Sequence, residues 1–142
     1  MSLPVLLLRP FFLALGPLCA SACSQEPKAG DAGYRFNLAG HYASDMSVRD
    51  RRYTGSMDLA TRQGGVLSGT MNITAPIAIT AKLSGLVSGD SITFGGPYRT
   101  PDCTGVLRGR GRIAAGGHTA WGSLNIDDGC VGAMAGNFRL ER

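Results

Sequence analysis

Apolar and polar residues alternate along most of the chain after residue 35, in short runs separated by Gly, Asp and Pro. Because successive side chains of a β-strand point to opposite faces, each run predicts a strand with one buried and one solvated face. Eight strands with short connections favour an antiparallel up-and-down β-barrel, whose closure removes exposed sheet edges. The runs span residues 36–43, 53–61, 65–74, 77–86, 90–98, 103–113, 118–127 and 130–141.

The parity of these runs assigns the two faces of the predicted barrel. The interior is expected to hold the apolar set Met57, Leu59, Leu67, Met71, Ile73, Ile77, Ile79, Ala81, Leu83, Ile92, Phe94, Met134, Phe138 and Leu140. The intervening positions are mostly Ser, Thr, Asn, Lys and Arg, which predicts a polar exterior. A transmembrane barrel is the alternative, but it would need aromatic rims, and only 7% of the residues are aromatic.

The first 22 residues predict an export signal. Arg9 is the only charged residue in this segment, and residues 10–18 form its apolar core. An uncleaved membrane anchor over residues 3–22 is the alternative, since about 20 apolar residues can span a bilayer. The prolines inside that segment favour a cleaved signal over an anchor.

The triplet Ala20-Ser21-Ala22 followed by Cys23 resembles the lipobox of bacterial lipoproteins. The resemblance implies that Cys23 becomes the lipidated first residue of the mature protein, and that Ser24 directs it to the outer membrane. Ordinary cleavage, which would give a periplasmic or secreted protein, is the alternative. The expected organisation is a signal peptide at 1–22, a flexible tether at 23–35 and a β-barrel domain at 36–142.

Cys103 and Cys130 are the two cysteines that remain after the export signal and the lipidated position are set aside. An even pair in an oxidising compartment predicts one disulfide bond. The chain-entropy model gives such a loop a stabilisation of roughly 3 kcal/mol. Two cysteines are too few for a metal site, and neither His41 nor His118 has a ligand spacing to them, so no metal or cofactor is expected.

The segment VLRGRGRI, residues 106–113, places three arginines on one face of a strand and glycines on the other. If a turn over residues 114–117 sets Ile113 opposite His118, then Arg112 faces Thr119 and Arg110 faces Trp121. This register predicts a cation–π pair between Arg110 and Trp121 on the barrel exterior. It also sets Cys103 opposite Asp128.

Arg108, Arg110, Arg112 and Trp121 form the candidate surface site. One interpretation is a solvated face with an aromatic side chain beside it. The other is a contact surface for an anionic envelope component, such as lipid headgroups, an acidic glycan or an acidic protein. Arginine suits the second role because its planar fork can bind a phosphate or carboxylate through two hydrogen bonds.

Gly40-His41-Tyr42 opens the first predicted strand and resembles the G-x-aromatic start of lipocalin and avidin-type barrels. The resemblance implies that His41 and Tyr42 mark a barrel end, and that Arg139 or Arg142 packs over the aromatic ring. It also leaves two interiors open, a packed plug or a cup for a small apolar ligand.

The net charge and the absence of catalytic motifs argue against nucleic-acid binding and enzyme activity. A net charge of +4 is too small to indicate nucleic-acid binding. Neither G-x-S-x-G nor H-E-x-x-H occurs, so we expect no enzyme activity. The sequence predicts an outer-membrane lipoprotein facing the periplasm, held by its lipid anchor, with a non-catalytic binding or interaction role. The alternatives are a carrier of a small apolar ligand and a periplasmic protease-inhibitor-type barrel.

Overall fold

The computed structural model describes residues 25–142. The predicted export signal, the lipobox-like triplet and Cys23 lie outside the described residues. From residue 25 onwards, the chain has no helix that is both long enough and apolar enough to cross a membrane.

Eight antiparallel strands form a closed barrel in which each strand pairs with the next and the last pairs with the first. The predicted all-β class and eight-stranded antiparallel barrel are therefore confirmed. The strands are β1 (Gly40–Val48), β2 (Arg51–Arg62), β3 (Val66–Ala75), β4 (Ile79–Ser88), β5 (Ser91–Arg99), β6 (Thr104–Ile113), β7 (Thr119–Asp128) and β8 (Gly132–Glu141). A 3-10 turn, Gln63–Gly65, joins β2 to β3.

The first strand lies further along the chain than the run at residues 36–43 predicted. It begins at Gly40 and continues to Val48. Residues 34–39 instead cover one end of the barrel, where Leu38 is fully buried and its N–H donates to the Thr61 hydroxyl. Because the alternation of polar and apolar residues runs from the covering segment into the strand, periodicity alone does not reveal the boundary.

The face assignment holds for most of the predicted interior. Eleven of its residues are buried: Met57, Leu59, Leu67, Met71, Ile73, Ala81, Leu83, Ile92, Phe94, Phe138 and Leu140. Ile79 and Met134 are only partly buried, and Ile77 is 44% exposed. These three side chains lie at the same end of the barrel, where they line an opening rather than the packed core.

Tyr42 closes the end of the barrel at which β1 begins. Its side chain is fully buried, and its hydroxyl donates to the Gly117 carbonyl at 2.6 Å. The Arg142 guanidinium carbon lies 5.8 Å from the centre of the Tyr42 ring. Residues 28–35, within the predicted tether, form turns at this end, and Tyr34 donates from its hydroxyl to the Gly89 carbonyl.

The predicted register of the β6–β7 hairpin is wrong by two residues. Arg112 lies opposite Trp121, Arg110 opposite Ser123, and Gly105, not Cys103, opposite Asp128. The turn is longer than expected and is bound by the N-terminal segment, with the Gly116 N–H donating to the Arg35 carbonyl. A shift by an even number of residues leaves every side chain on its predicted face.

Glycines on the interior face make room for one large aromatic ring. Phe94 on β5 lies between Gly85 and Gly109 in the register of its neighbouring strands. A Cβ atom at Gly109 would lie 2.3 Å from the Phe94 ring, well inside van der Waals contact. The same ring packs edge-on against Phe138, with the centroids 5.1 Å apart. The missing side chains therefore allow Phe94 to fill a narrow barrel.

Substitution of Gly109 by Ala should lower the free energy of unfolding by about 1–3 kcal/mol, because the added methyl group overpacks the Phe94 ring. Urea unfolding followed by circular dichroism measures this effect. Adding Phe94→Leu to Gly109→Ala should recover part of the loss, while Ser84→Ala on the exterior should change little. A Gly109→Ala loss that Phe94→Leu does not reduce would show that the backbone, not the ring, requires glycine.

Candidate functional site at the open end of the barrel

The barrel end opposite Tyr42 is open and leads into a cavity of about 440 Å³. This volume lies within the usual range of small-molecule sites, roughly 300–1,000 Å³. The wall is largely apolar and is formed by Met46, Val48, Met71, Ile77, Ile79, Leu107, Leu124, Ile126, Val131 and Met134. The barrel thus combines the two interiors that the sequence left open, with a packed lower part and a cup above it.

Three of the wall residues are methionines, contributed by β1, β3 and β8 (Met46, Met71 and Met134). Methionine side chains are unbranched and polarisable, so they adapt to apolar ligands of different shape. Phe94 and Phe138 do not line the cavity, which begins where their packed pair ends. The wall can therefore exclude water from apolar groups of different shapes.

The rim of the cavity carries its polar groups. Arg51 lies opposite Val48 in the β1–β2 ladder, and Val48 is a buried interior residue, so Arg51 stands on the interior face at the mouth. Asp128 lies on the interior face of β7, because it is an even number of residues from the buried Leu124 on the same strand. Among the inward-facing strand positions of residues 25–142, only these two are charged.

The β1–β2 turn brings a second arginine to the rim. It has only two residues, Arg49 and Asp50, with φ angles of 48° and 61°. Positive φ at both positions is what tight hairpins need, although Asn and Gly are the usual residues there. Arg49 lines the cavity, and its guanidinium donates to the Ala133 carbonyl at 3.3 Å, on the neighbouring strand β8.

Tyr98 and Asp128 form a hydrogen-bonded pair in the cavity wall, with the phenol donating to the carboxylate. The carboxylate also accepts the backbone N–H groups of Cys130 at 2.8 Å and Val131 at 3.1 Å. The Tyr98 hydrogen bond, more than any other contact, lowers the pKa of Asp128. Burial and the neighbouring carboxylate raise the pKa of Tyr98. Asp128 is therefore an ionised carboxylate whose hydrogen-bonding capacity is largely used by the protein itself.

The predicted disulfide between Cys103 and Cys130 is present, with the two Cα atoms 6.0 Å apart. It ties the β5–β6 loop to the β7–β8 turn, and both cysteines line the cavity. The two sulfurs and an Asp128 carboxylate oxygen lie within 4.8 Å of one another. Metal binding requires thiolates, however, and sulfurs joined in a disulfide carry no such charge. The bond therefore braces the rim rather than offering ligands.

Arg108, Arg110, Arg112 and Trp121 lie on the exterior face of β6 and β7, on the barrel wall rather than at the cavity. Arg112 is paired with Asp90 at 2.6 Å. Within residues 25–142, Arg108 and Arg110 make no ion pair. Beside them the surface is concave, because Gly95 lies opposite Arg108 and leaves a gap in the side-chain layer.

The predicted cation–π pair between Arg110 and Trp121 is wrong. Trp121 is 44% exposed and lies opposite Arg112, whose guanidinium is held by Asp90 instead. The cation–π contact found in the described part of the chain is the one between Arg142 and Tyr42.

His41 and Tyr42 both lie where β1 begins, on opposite faces of the strand. They are consecutive strand residues, so Tyr42 points inward while His41 lies on the exterior, where its Nδ1 is 2.8 Å from Asp58. Sequence reasoning missed the rim residues Arg51, Tyr98 and Asp128 as a group. The second predicted strand began at residue 53, and starting it at Arg51 would have placed a charge on the interior face.

Removal of the Tyr98 hydroxyl should destabilise the barrel in a pH-dependent way. At neutral pH, Tyr98→Phe is expected to cost about 1–2 kcal/mol of unfolding free energy, because a charge-assisted hydrogen bond is lost. A carboxyl whose folded pKa is depressed contributes its stability above the unfolded pKa, 3.8 for Asp128. The difference between wild type and Tyr98→Phe should therefore shrink as the pH falls below that value.

Urea titrations between neutral and acidic pH, with the disulfide intact, measure this difference. Because the pKa of Tyr98 is raised above its ordinary 10.0, the hydroxyl contributes below pH 10.0 and its contribution fades at higher pH. Tyr34→Phe is the matched control, because it removes a phenol that is hydrogen-bonded to the uncharged Gly89 carbonyl. A Tyr98→Phe effect that is constant across the acidic range would contradict the pairing with an ionised Asp128.

Comparison of the chain with protein-family models, with curated protein sequences and with solved structures finds no match in any of the three.

Proposed function

We propose that this protein is a non-catalytic binding protein that holds a small molecule with an apolar body in the open end of its barrel. The observation that carries the proposal is the cavity of about 440 Å³ with an apolar wall and a polar rim. Concave apolar sites with a few polar groups at the edge are the usual form of small-molecule sites.

The distribution of side chains supports binding rather than catalysis. The pKa values of the Tyr98–Asp128 pair are both shifted away from neutral pH: the Tyr98 hydrogen bond lowers that of Asp128, and burial together with the Asp128 carboxylate raises that of Tyr98. A general acid or base needs a pKa near the working pH. The pair is accordingly a fixed structural element of the rim.

The cellular setting of the proposal rests on the N-terminal sequence. We place the protein in the bacterial cell envelope, exported through residues 1–22 and held at a membrane by lipid on Cys23. The disulfide is consistent with an oxidising compartment. A binding protein in that setting would take up or present amphipathic molecules of the envelope.

Filling the cavity should weaken the binding of an apolar probe. The neutral fluorophore N-phenylnaphthylamine should bind the purified protein with one site and increased emission. Ile79→Trp and Ile126→Trp place an indole in the partly buried upper wall. Each should weaken the probe's affinity by about tenfold or more, since the bound volume is lost.

Val106→Trp is the matched control, because Val106 is 37% exposed on the exterior face. It adds the same indole to the same barrel without entering the cavity. Circular dichroism checks that all three variants fold. Unaltered probe affinity in Ile79→Trp and Ile126→Trp would refute binding in the cavity.

A second function is favoured by one specific observation, the two exterior arginines without an ion-pair partner in residues 25–142. Arg108 and Arg110 are neighbours on one face of β6, with the uncharged Thr93, Ser123 and Asn125 beside them in the register. We propose this face as a contact surface for an anionic component of the envelope, such as phosphate-bearing lipid headgroups.

Vesicles test the contact surface on protein that lacks residues 1–23, so that no lipid anchor masks the effect. Replacing Arg108 and Arg110 together by Gln should weaken binding to phosphatidylglycerol vesicles by roughly 2 kcal/mol, at about 1 kcal/mol for each arginine. Arg112 and Arg139 are already paired with carboxylates, so their double replacement should matter less. Equal losses of affinity in both double variants would show that Arg108 and Arg110 contribute only general surface charge and no specific contact surface.

A further inference from the structure

We infer that the molecule held in the cavity carries an anionic head group, and that Arg51 binds this group at the mouth. The inference rests on the proposed binding function and specifies the ligand as an amphiphile with an apolar tail and a carboxylate or phosphate head. Arg51 becomes the residue that selects the head group.

The position of Arg51 is the first step. The inward positions that follow it on β2 include Tyr53, Met57 and Leu59, and the latter two are buried in the core. An arginine that begins this interior row stands above the apolar wall, with its guanidinium where a ligand's exposed end would lie. Strand parity fixes the face on which the Arg51 side chain leaves β2.

The free hydrogen-bonding capacity of Arg51 is the second step. In the described part of the chain its guanidinium makes no ion pair and no side-chain hydrogen bond. Its neighbour Arg52, on the exterior face, is bound by Asp45 through two nitrogens. A guanidinium presents its donors as a planar fork, which fits the two oxygens of a carboxylate or phosphate.

The charge balance of the rim is the third step. Three charged residues line the cavity, Arg49, Arg51 and Asp128, which leaves one net positive charge. Asp128 accepts hydrogen bonds from Tyr98, Cys130 and Val131, so little of its acceptor capacity remains for a cationic ligand. Asp50 lies in the adjacent turn and does not line the cavity. The rim therefore favours an anion over a cation.

The experiment compares amphiphiles with the same tail and different heads. Displacement of N-phenylnaphthylamine from the purified protein is measured with dodecanol, dodecanoate, dodecyl phosphate and dodecyl trimethylammonium, each below its solubility limit or critical micelle concentration. We expect the anionic compounds to bind about tenfold more tightly than dodecanol, and the cation to bind no better than dodecanol. The ratio of the carboxylate to the phosphate affinity identifies which anion the mouth prefers.

Variants then assign the selectivity to one residue. Arg51→Gln should weaken dodecanoate or dodecyl phosphate binding by about fivefold to tenfold and leave dodecanol unchanged. Arg51→Lys should retain part of the preference. Arg52→Gln removes the same charge from the exterior face of the same strand and should have no effect on any of the compounds.

The outcomes separate the inference from the proposed function. If the fluorophore and dodecanol bind in the cavity, but dodecanoate and dodecyl phosphate bind no better and Arg51→Gln changes nothing, the anionic head group is refuted and the binding function stands. If the fluorophore and all four amphiphiles fail to bind, the binding function itself is refuted, and the inference with it.

Discussion

Closing eight strands into a barrel makes the interior side chains of every strand share one narrow space. The interior meets this constraint differently near the centre of the barrel and towards its mouth. Near the centre, Phe94 occupies room that Gly85 and Gly109 leave, and it packs edge-on against Phe138. Towards the mouth the inward residues are mostly aliphatics and methionines, together with Tyr53 and Tyr98 in the wall. The cavity lies beyond the packed pair of Phe94 and Phe138.

The polar rim depends on the same constraint, because a charged group on an interior face is tolerated only where water reaches it. Arg51 and Asp128 lie at the ends of their strands, where the barrel opens. The disulfide holds the loop before β6 to the turn before β8, so the Tyr98–Asp128 pair is supported from both sides. A cup needs such bracing, since its walls are not stabilised by packing across the interior.

Much of the barrel is readable from the sequence because side-chain parity is a local property. Alternation alone predicts that Met57, Leu83 and Phe138 face the interior. The exterior faces of Arg108 and Arg110 were also predicted correctly, because the register error of two residues does not change the face of a side chain. The start of β1 could not be predicted from the sequence, because the segment before Gly40 has the same alternation but covers the barrel end. The rim was missed because Arg51 precedes the apolar run that marked its strand, and because the contact of Tyr98 with Asp128 joins residues from β5 and β7.

The segment that covers the closed end has a consequence for orientation. Residues 28–38 and the last residue, Arg142, both lie against Tyr42 and its surroundings, so both termini of the described chain leave the barrel from the closed end. The mouth of the cavity lies at the opposite, open end of the barrel. An attachment that precedes residue 25 would hold the barrel by its base, with the opening directed away from the point of attachment. Immobilising or fusing the barrel through either end of the described chain would likewise leave the mouth of the cavity unobstructed.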